Sequence, residues 1–249
     1  VLGHSCKASR KDLRDAVVAA RGALSKWKGS TPYLRAQIMY RMAEMLEGQR
    51  VQFEQLLTDA GTSAAKGEVT ASIDRLVHYA GWADKYAHVL GCQNPVAAPY
   101  WNITVPEPTG VVGVVCPNDH ALLALISLVA PVIASGCTCV LISPASPTVV
   151  STLGEVFATS DLPGGVINLL TGSHDELVPV LAKHRDVDAI HAAGVSEAHA
   201  KELHLGTADN LKRVKLRTNI DWTSREACES PWWIESFVES KTVWHPIGA

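Results

Sequence analysis

The chain has 249 residues, of which 47% are hydrophobic and 19% charged, enough apolar content to close one large core. A formal net charge of -3, with no dense run of Lys and Arg, argues against nucleic acid or a membrane surface as partner. Ala121 to Ala134, the most apolar stretch, is too short to span a bilayer, is interrupted by Pro131, and is expected as a core helix.

The six cysteines, Cys6, Cys92, Cys116, Cys137, Cys139 and Cys228, show no Cys-x-x-Cys spacing. They read as reduced thiols, which predicts a cytoplasmic location. Val1 to Asp15 lacks the charged head and apolar stretch of a leader, and the first residue, not a methionine, suggests a processed product or a piece of something longer.

Leu13, Ala16, Val17, Ala20, Leu24 and Trp27 lay one apolar stripe along a first helix. Thr31-Pro32 supplies a cap and a first helical proline for a long second helix with Leu34, Ile38, Met42, Met45 and Leu46 inward. A third follows Gly67, facing Val69, Ile73, Leu76, Ala80 and Ala83 to the core. From Tyr100 the pattern alternates. Val111 to Val115 is a β-branched run of the kind buried on both faces of a parallel sheet. Strands at Thr138 to Ile142, Val166 to Leu170, Asp188 to His191 and Leu211 to Leu216 follow, separated by helices at Pro147 to Thr159, His174 to His184 and Val195 to Leu205. Repeated βα units predict an α/β fold, a Rossmann-like doubly wound parallel sheet preceded by N-terminal helices.

The tail differs in kind. Trp222, Trp232, Trp233 and Trp244 fall in its last 28 residues, four of the chain's seven tryptophans. Ser230-Pro231 reads as the start of a short helix to about Glu239, and Lys241 to Trp244 as a strand stopped by Pro246. Two readings stay open: packing on the chain's own domain, or an edge strand and aromatic anchor at an interface. The division expected is 1–220 for the Rossmann-like part and 221–249 for a helix-strand oligomerisation tail.

Several stretches resemble the aldehyde dehydrogenase superfamily in order and spacing: Asp74-Arg75-Leu76 through Tyr79-Ala80-Gly81-Trp82, Glu107-Pro108-Thr109-Gly110-Val111 through Cys116-Pro117, Leu162-Pro163-Gly164-Gly165-Val166-Ile167-Asn168, and Asp186-Val187-Asp188. Together they cover roughly Asp12 to Arg217. With the ending Phe237 to Trp244, the likeness is greatest to the non-catalytic C-terminal domain of the two-domain members of family 16. The resemblance implies an oligomerisation flap, here about 94–106 with the terminal strand, and assembly with a complete aldehyde dehydrogenase domain in the same polypeptide or in a dimer mate, as a homo-oligomer.

The same resemblance locates what has changed. Where active members carry an asparagine that donates to the oxyanion, this chain has Asp119, whose carboxylate repels one. The ribose lysine is replaced by Ile142 or Ser143, and the pyrophosphate serine by Val195, with Gly194 retained and Ser196 a conservative change from threonine. No Glu-Leu-Gly-Gly-Lys base segment or Gly-Gln-x-x-Cys nucleophile follows; Cys228 lies between acids that raise a thiol's pKa. The catalytic domain is expected to be absent. Each loss costs an enzyme roughly two or more orders of magnitude, so no cofactor and no dehydrogenase activity are expected.

Two alternatives remain. A residual small-molecule or dinucleotide-binding regulatory domain would use amide donors of the helix after Pro117, unless His120, His191 or Val195 fills the cleft. An enzyme of another class would draw on His191, His199 and His204 or on Asp119, Glu155 and Asp188, although histidine spacings of eight and five do not stack on one helix face.

Overall fold

The computed structural model describes residues 3–247, so the ends of both expected units, Val1–Leu2 and Gly248–Ala249, lie outside the described residues. Ser9 opens α1 (Arg10–Lys28) with a capping box: its side chain accepts from the Lys11 amide, and Asp12 accepts from the Ser9 amide. Thr31 caps α2 (Pro32–Gly48), with α3 (Arg50–Asp59) and α4 (Ala65–Trp82) after it. The α2 stripe is rotated from expectation. Ile38, Met42 and Leu46 are buried, but Leu34 is 44% exposed and Arg35 takes the inward position, donating to the Ser30 carbonyl at 2.8 Å.

After α5 (Tyr86–Leu90) come β1 (Cys92–Asn94) and β2 (Tyr100–Pro108). The alternating part follows: β3 (Val111–Val115), α6 (Leu123–Ala134), β4 (Thr138–Ser143), α7 (Pro147–Ala158), β5 (Ile167–Thr171), α8 (His174–Lys183), β6 (Ala189–Ala193), α9 (Glu197–Leu205) and β7 (Arg213–Arg217). Pro131 does not interrupt α6. The helix runs on to Ala134 because every one of its residues is buried, and packing on all sides outweighs one missing hydrogen bond.

Five parallel strands form one sheet in the order β5-β4-β3-β6-β7. Successive side chains point to opposite faces, and the two cores divide accordingly. Val111, Val115, Val140, Ile142 and Ile190 meet α1, α8 and α9 on one face; Val112, Val114, Cys139 and Leu141 meet α2, α4, α6 and α7 on the other. This is the predicted doubly wound arrangement. No helix among the described residues is long and apolar enough to cross a membrane.

The tail contains α10 (Arg225–Cys228), α11 (Trp232–Glu235) and β8 (Val238–Pro246). The helix is shorter than expected and the strand longer, because β8 pairs with β2 from Val238↔Pro108 to Pro246↔Tyr100 and takes in Pro246 at its end. The tail packs in part on the chain's own domain: Trp222 and Trp233 join the main core, whereas Trp232 and Trp244 are exposed. β8 completes an antiparallel sheet of order β1-β2-β8, and so the flap expected at 94–106 is a three-stranded arm. Asn94 Nδ2 donates to Asn102 and Thr104, Thr104 meets Thr242 at 2.9 Å, and Tyr100 packs edge-on against Trp244.

Candidate functional site

The chain leaves β3 for β4 and β5 on one side, then returns to β6 and β7 on the other. The loops after β3 and β6 therefore diverge, and a crevice opens beyond the carboxyl ends of the strands. A cleft of about 560 Å³ lies there, lined by Asn118, Pro144, Gly194, Ser196, His174 and His199, with Ser5 to Lys7 forming one wall. Gly194 has φ +63°, and a Cβ on it would meet Pro117 Cβ at 2.6 Å, so the β3 and β6 ends approach closely only with glycine there.

Of the positions singled out in the sequence, Gly194 and Ser196 line this cleft; Asp119, Ile142, Ser143 and Val195 do not. Asp119 is exposed on the loop entering α6. Ser143 is buried, its hydroxyl directed to the Ala145 carbonyl. Val195 turns into the α1–α8–α9 core, and Ser196 caps α9 by accepting from the His199 amide. None of the three side chains named as possible cleft fillers occupies it: His191 is buried beneath the sheet, His120 sits 3.7 Å from Glu68, and Val195 packs as above.

The amide donors expected after Pro117 are not free. Glu68, a residue that sequence reading passed over, reaches across from α4 and accepts from the Leu122 and Leu123 amides at 2.9 and 3.2 Å. A carboxylate thus already occupies the start of α6, where the positive end of the helix dipole favours an anion. His174, Asp175 and His199 were also missed as a group. α8 and α9 bring them together, with His199 Nε2 3.2 Å from Asp175 and the two imidazoles near-perpendicular at 6.3 Å. Burial lowers the His174 pKa. No cluster of three metal-ligating side chains occurs among the described residues.

The remaining histidines and acids are dispersed. His191 Nδ1 lies 2.9 Å from the Leu128 carbonyl, and its Nε2 accepts from Arg217 Nε at 3.0 Å. That fixes the neutral tautomer with hydrogen on Nδ1, and burial holds the pKa well below the usual imidazole range. Arg217 stacks 3.8 Å over Trp233, its own pKa pulled down to about 10 by burial. His204 and Glu155 are exposed. Asp188 accepts from Arg21 and the Val111 amide. Cys228 is buried, which raises its pKa, under Arg75 and Tyr79: Arg75 donates to Ser127 Oγ and the Trp222 carbonyl, and Tyr79 to the Cys228 carbonyl.

Residues 1–219 match the model of the aldehyde dehydrogenase family. The chain belongs to the aldehyde dehydrogenase family. Among its relatives, a putative aldehyde dehydrogenase, DhaS, of Bacillus subtilis is 34% identical over 84% of this chain and 43% of its own length. Omega-crystallin of Enteroctopus dofleini is 26% identical over 89% of this chain and 48% of its own length. An aldehyde dehydrogenase from Bacillus cereus, solved as an NAD+ complex, superposes with TM-score 0.79 at 28% identity, over 86% of this chain and 44% of that one. The chain therefore spans less than half the length of these relatives.

Proposed function

We propose that this chain is a non-catalytic assembly domain of a larger aldehyde dehydrogenase, and that its three-stranded arm docks onto a complete aldehyde dehydrogenase domain in the same polypeptide or in a dimer mate. The arm carries the reading. Along a ladder nine residues long it leaves Trp101 52% and Trp244 57% exposed, with Val105 and Val243 also open, and β8 is the longer of its two outer strands. Contiguous apolar groups left open on a strand mark a surface that gains from a covering partner. Strand addition takes its affinity from backbone hydrogen bonds, so it survives erosion of an active site.

The cleft supports the non-catalytic half of the proposal. A dinucleotide's pyrophosphate would find Val195 where a hydroxyl is needed, the Ser196 side chain already on the α9 amide of His199, and Glu68 on the first amides of α6. These residues do not fit the cofactor. The likeness of the tail to the second domain of family-16 members agrees with this reading, since Phe237 to Trp244 supplies the closing strand of the arm.

Light scattering of the purified chain, alone and mixed with a complete aldehyde dehydrogenase domain, tests the proposal. A mass above the monomer, or a mixed complex, is expected in wild type and is lost in Trp101→Ala/Trp244→Ala. A monomer that binds no such domain refutes the assembly reading. Titration with NAD+ and NADP+ tests the other half: saturable binding near micromolar, against none at concentrations on the order of millimolar, refutes the reading of the cleft.

A further inference from the structure

Away from the cleft, α1 and the end of α8 border a second depression of about 560 Å³, which shares no lining residue with the first. Arg10 and Arg14 enter it from successive turns of α1. Lys183, His184 and Arg185 enter from the last residue of α8 and the turn after it. Asp186 is the single carboxylate in the lining.

The four full cations there are unpaired. Among the described residues, none of Arg10, Arg14, Lys183 and Arg185 forms an ion pair or donates a side-chain hydrogen bond, although Lys7 and Arg21 nearby, and Arg41 and Arg50 on the other side of the sheet, have acidic partners. General basicity does not explain the group, because the chain as a whole is acidic. The turn presenting it is also held in place. Arg21 donates to the Asp186 carbonyl, Asn210 to those of Arg185 and Val187, and Lys212 to that of His184. The backbone from which Lys183, His184 and Arg185 project is therefore fixed.

We propose that this depression binds a small ligand carrying two or more linked phosphates. Guanidinium forks present paired donors that match phosphate oxygens, and a lysine adds a compact point charge. Cations contributed from two separate elements favour a ligand that spans them over a single phosphate. The site is independent of the arm and of the assembly reading.

The probe is inorganic tripolyphosphate, followed by calorimetric titration at low and high salt, with orthophosphate as comparison. One saturable site is expected, weakening as salt screens the charges. Arg14→Gln/Arg185→Gln should weaken it about tenfold or more per guanidinium removed, and the single variants Arg10→Gln and Lys183→Gln should each weaken it measurably. Arg41→Gln, on α2, should leave it unchanged. Circular dichroism confirms that each variant is folded, and the single variants carry the test if the double variant is not. No saturation in wild type, equal affinity in the charge-removed variants, or orthophosphate binding as tightly as tripolyphosphate would each overturn the proposal.

Discussion

Replacing Glu68 by alanine removes a side chain from α4 and should be felt at α6. Glu68 is 4% exposed and satisfies two backbone amides, of Leu122 and Leu123, that have no other acceptor at the helix start. Orphaning a buried amide costs about 1–3 kcal/mol. Two amides, discounted because water enters the space the carboxylate vacates, give a loss of about 2–4 kcal/mol. For a chain of this length each kcal/mol moves Tm by roughly 2–4 °C, so a fall of about 4–16 °C is expected. Glu68→Gln keeps an acceptor and loses only the charge at the helix terminus, so its loss should be nearer 1 kcal/mol. Urea unfolding followed by tryptophan fluorescence measures both. Sulfate supplies a second readout: a bare helix start attracts an anion, so sulfate should stabilise Glu68→Ala more than wild type. A Glu68→Ala stability within about 0.5 kcal/mol of wild type, or identical responses to sulfate, would refute the capping role.

Acid should weaken the fold through His191. Its folded-state pKa lies well below the unfolded value of 6.5, so the stabilisation of the neutral ring is complete above that value and is lost as pH falls beneath it. Urea titrations across that range should show a slope that is reduced in His191→Gln. Gly110→Ala should be severely destabilised, by about 3 kcal/mol or more, since φ is +142° and the new Cβ would sit 2.0 Å from Asp188 Oδ2; thermal melts of the variant provide the check. Thiol labelling of the native chain should be fast at exposed Cys6 and Cys92 and slow at buried Cys116, Cys137, Cys139 and Cys228, with all six reacting once denatured; fast labelling of Cys228 would contradict its burial.

The strands were legible because a parallel sheet covered on both faces leaves continuous β-branched runs such as Val111 to Val115. Thr31-Pro32 marked its helix start because the cap and the proline act locally. Glu68 was not legible, since its partners lie 54 and 55 residues away and a glutamate in a helix ordinarily faces water. A trace of it was present: Glu68, Ser72, Arg75 and Tyr79 form a polar line at helical spacing on the buried side of α4. The His174–Asp175–His199 group was hidden for a similar reason, because only the packing of α8 on α9 joins its members. The exposure of Leu34 followed from Arg35 claiming the inward place, which an apolar stripe does not foresee.

The ladder between β2 and β8 also sets a timetable. Thr104 and Thr242, paired across it, are 138 residues apart, so at ribosomal speeds β2 leaves synthesis roughly 7–28 s before its partner does. For that interval one edge of β2 offers unpaired backbone groups to any neighbouring nascent chain, the circumstance in which strands exchange or aggregate. Pro106 and Pro108 lie within β2, and neither has an amide hydrogen to offer. The Thr109 amide meets the Phe237 carbonyl, so the odd-numbered residues of β2 face β8 and the two prolines face the opposite edge; they leave that edge a poor template beyond Thr104, while the edge awaiting β8 stays open until its partner arrives.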